Sequence, residues 1–243
     1  MTALSGIRFS NITTIFRREI RSYFNSPVAY VVIVVFLAII GWFFTSSLFL
    51  ANVASLRTLF ELVPFVYLFF IPAITMRLLA EEKKTGTLEL LATKPVSDIE
   101  IILGKFLAAW TLLGATLLPT LLYLATILVL GSPDVGPIIT GYIGLLLMGA
   151  VYIGIGLFAS SLTENQIVAF IVSFLIILAF FMLDKVLMYA PEGFVSTLEF
   201  LGADYHYSNI ARGVIDSRDL IYFFSLLGFS LLLATTSLER RKW

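Results

Sequence analysis

Residues 62–76 read LVPFVYLFFIPAITM, fifteen uncharged positions held between Glu61 and Arg77. How the chain is threaded depends on whether this stretch crosses a membrane. A bilayer core is about 30 Å thick and takes roughly 20 apolar residues of helix. Fifteen fall short unless Glu61 and Arg77 sit at the two interfaces, where long side chains keep their charged ends in water. The runs around it are longer. Val28–Leu50, Phe106–Pro133 and Val135–Thr163 carry no charge, and Asn165–Leu183 and Leu220–Leu238 are uncharged over 19 residues each. The first of these is too long for the apolar core of a cleaved signal peptide, and no clear small-x-small site follows it.

The basic residues decide the count. Arg8, Arg17, Arg18 and Arg21 precede the first run, Arg77, Lys83, Lys84, Lys94 and Lys105 surround the loop after residues 62–76, and Arg240, Arg241 and Lys242 close the chain. Six spans put these twelve on one side and leave Arg57, Lys185, Arg212 and Arg218 on the other. Five spans would split the clusters. The positive-inside rule therefore counts residues 62–76 as a span and places both termini and the loop in the cytoplasm.

Composition agrees. The 243 residues are 59% hydrophobic and 14% aromatic, with a mean hydropathy of +0.99, more than one soluble core can hide. The chain reads as an all-α integral membrane protein, a single transmembrane domain over 1–243 with spans at about 28–50, 59–78, 106–130, 137–159, 165–183 and 220–238. A net charge of zero gives no case for nucleic acid. The absence of cysteine removes disulfides and thiolate chemistry, and the lone His206 cannot build a multi-histidine metal site.

Local signals mark the helix ends. Ser26-Pro27 has the form of an N-cap followed by proline at N1. Ser97-Asp98-Ile99-Glu100 and Thr163-Glu164-Asn165-Gln166 have capping-box spacing before the third and fifth spans. Gly131-Ser132-Pro133-Asp134 reads as a tight outer turn. Pro64, Pro72 and Pro119 lie inside spans, where they should kink or break them while packed neighbours take up the freed carbonyls. Ala150 and Gly154, with Gly144, Gly149 and Gly156 nearby, predict close packing of the fourth span. Between spans five and six, Asp184–Asp219 carries apolar patches (Phe194, Leu198, Phe200, Leu201). Short helices against the outer surface are expected there, with Ser217 as a cap for the last span.

Ahead of the first span, Ile12, Ile15, Phe16, Ile20, Tyr23 and Phe24 fall on one helical face, and Thr14, Arg17, Arg18, Arg21 and Asn25 on the other. This predicts an amphipathic helix over about 10–25 in the cytoplasmic interface, either a basic anchor or a lever that touches a cytoplasmic partner.

The loop itself, EEKKTGTLELLATKP (81–95), reads as a docking element. Gly86 allows a turn, Thr87 caps a short helix, Glu89 suits its N-terminal end, Leu88, Leu90 and Leu91 supply contact area, and Pro95 stops it. Glu81, Glu82, Lys83 and Lys84 form a charged border that orients a partner, with Thr85 at its edge. A carboxylate pair at Glu81-Glu82 reads better as an ordinary charged surface. No G-x-x-x-x-G-K-[ST], H-E-x-x-H or G-x-S-x-G occurs, so no catalytic, cofactor-binding or metal residue is assigned. The spans are nearly free of ionisable groups, which argues against a proton-coupled path.

RLLAEEKKTGTLELLATKPVSDIEIILGKF (Arg77–Phe106) closely resembles the cytoplasmic loop of ABC-2 type permeases, membrane subunits of one class of ATP-binding-cassette transporters. SSLTENQIVA (Ser160–Ala169) and DYHYSNIARGVIDSRDLIYF (Asp204–Phe223) look like the subgroup related to the gliding-motility permease. The resemblance implies that residues 81–91 carry the coupling helix that meets a separate ATPase subunit, which would use ATP and Mg while this chain binds no cofactor. It further implies pairing with a second copy or a paralogous permease, an auxiliary membrane protein with an extracytoplasmic domain, and an inner-membrane location among lipid. The expected activity is export of a hydrophobic or lipid-like substrate. The alternative is force transmission to an outer partner with nothing crossing.

Overall fold

A computed structural model describes residues 8–50, 55–88, 95–131, 133–183, 185 and 200–240, and among these residues there are helices and no strands. The chain opens with α1 (Phe9–Asn25), whose Ile12, Ile15 and Tyr23 are buried while Arg17, Arg18 and Arg21 face outward. At Ser26 the backbone is extended, and the serine side chain accepts a hydrogen bond from Val28 N, so α2 (Pro27–Phe49) starts as the Ser-Pro pair predicts.

Residues 62–76 lie within a helical stretch, Arg57–Lys84, that is 28 residues long. It is made of α3 (Arg57–Thr75) and α4 (Arg77–Lys84). α3 runs through Pro64 and Pro72 as one helix, so of the expected kink or break neither proline makes a break. Part of the reason is visible at Pro64. Its missing N–H leaves the Phe60 carbonyl without its usual helical donor, and the Tyr207 hydroxyl donates there instead at 2.8 Å. Pro119 does interrupt its helix. α5 (Asp98–Leu117) passes through a 3₁₀ turn at Leu118–Thr120 into α6 (Leu121–Leu130).

α5 begins with the predicted capping box of Ser97 and Glu100. α7 (Val135–Leu162) is capped by Asp134, which accepts from Gly136 N at 3.0 Å. The second predicted box is not formed. Thr163 is the extended residue that ends α7, and Asn165, accepting from Ile167 N at 2.9 Å, caps α8 (Gln166–Met182). A short helix of the kind expected between the fifth and sixth predicted spans is present as α9 (Ala203–Ala211). The cap of α10 (Ser217–Glu239) is Asp216, which accepts from Arg218 N at 2.9 Å, rather than Ser217, which is already helical. Ser132, Phe194 and Leu198 lie outside the described residues.

Among the described residues, five helices are long and apolar enough to cross a membrane: Pro27–Phe49, Arg57–Lys84, Asp98–Leu130, Val135–Leu162 and Ser217–Glu239. The fifth predicted span, α8, is apolar but 17 residues long. The centre of the bundle is α7, packed against α3, α5, α8, α9 and α10. Its glycines set the approach. A Cβ on Gly149 would lie 2.2 Å from Leu113 Cδ2, one on Gly154 2.2 Å from Ser230 Oγ, and one on Gly156 2.1 Å from Thr75 Oγ1. Three neighbouring helices therefore pack directly onto its backbone, as the small-residue spacing predicts. α2, by contrast, turns Val31, Val34, Val35 and Trp42 outward. Side chains of this kind suit lipid as a solvent.

Candidate functional site

The predicted loop residues converge with α1 at one end of the bundle. α4 continues the direction of α3, but its start is capped by another helix. Met76 stands at the N-cap with no side-chain oxygen to offer. Ser160, from the last turn of α7, accepts from Leu79 N (3.1 Å) and Ala80 N (3.0 Å) and donates to the Met76 carbonyl (2.9 Å). Beyond it, the Lys83 ammonium and the Ser237 hydroxyl both donate to the Ser161 carbonyl. α4 is thus fastened to the end of α7, and α7 to the end of α10.

The opposite side of α4 meets a cluster of four charges. Gly104 on α5 lets α1 lie flush, since a Cβ there would fall 2.7 Å from Ile15 Cγ2 and 3.2 Å from the Ile12 carbonyl. One residue on, the Lys105 side chain is 1% exposed, and its Nζ lies 3.1 Å from Glu19 Oε1 and 2.9 Å from Glu82 Oε1. Arg18 Nη2 reaches the same two oxygens at 2.6 Å and 2.5 Å. Two cations and two carboxylates from α1, α4 and α5 therefore share one neutral cluster. At the start of α5, Glu100 accepts from the backbone of Arg8 and Ser97 and from the Asn11 amide, which ties down the beginning of α1. A cleft of about 500 Å³ opens between α1 and α4, lined by Arg18, Glu19, Tyr23, Arg77, Glu82 and Lys105 among others. Arg77 sits 5.7 Å over the Tyr23 ring.

After α4, Gly86 takes φ 70°, the left-handed value that its lack of a Cβ permits. Residues 87 and 88 begin another helical turn. Glu81, Lys84, Thr85 and Thr87 are exposed, as a charged border requires. Thr87 hydrogen-bonds Thr85 at 3.0 Å. Two readings change. Glu82 belongs to the buried cluster rather than to an ordinary charged surface. Leu88 is 2% exposed and packs into this chain's own core, so it anchors the turn and offers no contact area. Glu89, Leu90 and Leu91 lie outside the described residues.

No local pattern marks Glu19, and in the sequence Lys105 is one basic residue among those that set the topology. A signal was there: Lys105 stands amid Ile101, Ile102, Phe106 and Ala108, and an ammonium among such neighbours needs an acid. Its two acids lie 86 and 23 positions away in the chain, beyond any local pattern.

Electrostatics make the cluster acid-sensitive. Burial pushes the Glu19 carboxyl up, but the nearby Lys105 ammonium and Arg18 guanidinium more than reverse this, so it lies below its ordinary 4.5. A depressed folded-state value favours the folded arrangement above the ordinary value, and that contribution is lost as pH falls through the lowered one. Unfolding midpoints taken from about pH 7 to about pH 3 should therefore show an acid-side drop that Glu19→Gln reduces. An unchanged acid profile in that variant would count against the cluster.

At the far end of the bundle, His206 and Asp219 form a second buried pair, Nδ1 to Oδ1 at 2.6 Å, with His206 Nε2 2.8 Å from the Phe200 carbonyl. The Tyr222 ring stacks on the imidazole at 4.0 Å, and its hydroxyl donates to the Leu201 carbonyl. This pair holds α9 on the start of α10, next to the Tyr207 bond to α3.

A family model described as "ABC-2 family transporter protein" matches residues 47–201, more than half of the chain and the whole of the 81–95 loop. A search of curated proteins found no match.

Proposed function

The chain belongs to the ABC-2 family of transporter proteins, and from that premise we propose that it couples ATP hydrolysis by a separate subunit to export of a hydrophobic or lipid-like substrate. Membership makes it the multi-pass membrane subunit of an ABC transporter, not itself catalytic, and implies an ATPase partner and, typically, a dimeric arrangement. On this reading α8 is the fifth of six spans, both termini and the 81–95 loop face the cytoplasm of an inner membrane, and the loop with α1 receives the ATPase. A second copy or a paralogue completes the membrane unit.

The observation that carries the reading is the convergence of the loop helix and the amphipathic helix on one charge cluster at the end of a lipid-facing bundle. A push on an exposed loop can do work only if the loop is fixed to the spans. Here α4 is fixed to α7 by Ser160 and to α1 and α5 by Glu82. The scarcity of ionisable groups along the spans suits an apolar cargo.

Because Leu88 is internal, the docking contacts fall to Leu90 and Leu91. Replacing both with aspartate should cut the ATPase recovered with the chain by about tenfold or more while the chain still inserts and folds. Undiminished recovery would remove the loop from the docking surface.

A force-transmitting subunit of the gliding-motility-like subgroup, driving an extracytoplasmic partner without moving cargo, is the second reading. The Tyr207 link between the outer helix and the second span favours it. ATPase activity that answers only to an outer protein would select it over export.

A further inference from the structure

We propose that Lys105 is the positioning residue through which movement of the docking loop reaches the third span. The proposal rests on the reading of residues 81–91 as the ATPase-facing segment.

Lys105 is enclosed, yet its ammonium serves two acids from two other helices. A lysine with three tetrahedral donors can hold carboxylates arriving from different directions, where a planar fork would favour one. Glu82 is the acid that moves with the loop, since it lies two residues from the end of α4. Glu19 is the acid that moves with α1. If α4 shifts and Lys105 does not follow, a buried ammonium loses one of its two partners in a low-dielectric site, a costly state. The cheaper course is for α1, α4 and the first turns of α5 to move together. Gly104 removes the side chain that would otherwise hold α1 away from this point.

Stability alone does not account for the arrangement. A buried ion cluster is generally no more stabilising than apolar residues of similar volume. What charge adds is directionality: the cluster fixes which atoms face one another, so a displacement is passed on without slack. Ser160 and Ser161 hold the other side of α4 on α7, so cutting the Lys105 link removes the direct path from α4 to the third span, leaving the indirect one through Arg18 and α1 and the path to the fourth.

Since the chain has no cysteine, probes can be placed at will. Spin labels at Val129→Cys and Ile221→Cys sit on exposed positions at the far end, on the third span and on the last. Their separation is measured in the complex isolated with its ATPase, without nucleotide and after trapping with ATP, Mg and vanadate. The parent chain should show a nucleotide-dependent change in separation. Lys105→Met should keep the ATPase bound but lose at least half of that change. Lys105→Met combined with Glu19→Gln and Glu82→Gln removes the unpaired acids, so it should regain the parent's thermal midpoint and still lack the change. A triple variant that moves like the parent would overturn the proposal and reduce Lys105 to a structural role. Absence of ATPase from the parent complex would overturn the docking reading, and this proposal with it.

Discussion

Valine in place of Gly156 should destabilise the folded chain by about 3 kcal/mol, the upper range for overpacking a filled interior. The new Cβ would meet Thr75 Oγ1 at 2.1 Å, Thr75 Cβ at 2.7 Å and Thr75 Cγ2 at 3.0 Å. These atoms belong to a short branched side chain, so the clash is relieved only by separating α3 from α7. That separation would also pull Ser160 away from the start of α4, one turn further along α7. Gly114→Ala is the matched control: nothing lies within 4 Å of a Cβ there, and removing a helical glycine gains up to about 1 kcal/mol. Thermal midpoints of purified protein in mild detergent should therefore move in opposite directions. Equal midpoints would mean that the two helices are not packed this closely.

Ser160→Ala should cost about 2–3 kcal/mol for the loss of one oxygen atom. That oxygen serves two buried N–H donors at the head of α4 and one part-buried carbonyl. An ordinary helix cap is worth about 1 kcal/mol. Burial raises the penalty here, because water cannot replace the lost partner. Ser173→Ala is the comparison. Ser173 Oγ is also buried but has no hydrogen-bond partner among the described residues, so its removal should be neutral or stabilising. Both alanine variants delete the same atom from a span, and only the one at 160 should lower the unfolding midpoint. The alternative outcome, a Ser160→Ala chain as stable as the parent, would show that α3 and α4 can close into one regular helix without the serine.

The helices were largely legible in the sequence because their signals are local. The Ser26-Pro27 start, the Ser97–Glu100 box and the glycines of α7 depend on neighbours within one or two turns. The two caps that differ from expectation lie close by: Asn165 falls inside the Thr163–Gln166 spacing, and Ser217 stands next to the cap, Asp216. Residues 62–76 looked short because the charged ends of their helix, Arg57 and Lys84, were counted as loop. What could not be read was any link that depends on one helix meeting another. Lys105 with Glu82, Ser160 with Leu79 and Tyr207 with Phe60 are joined by packing alone, and no spacing rule connects them. On the reading proposed above the loop receives a partner, and the contacts by which it grips its own spans appear only in three dimensions.

The hydroxyl of Tyr207 completes the hydrogen bonding of a different helix. On the topology proposed above it stands outside the cell's inner barrier, while the stretch it steadies runs inward to the loop. A protein that grasped the outer helix and drew Tyr207 aside would leave the Phe60 oxygen seeking a new donor, and the helix around Pro64 would have to readjust. Thermodynamic linkage makes such influence mutual, so an event at the inner loop must alter the outer helix's readiness to be grasped by an equal free energy. The same bond would let either face of the membrane register what has bound to the other.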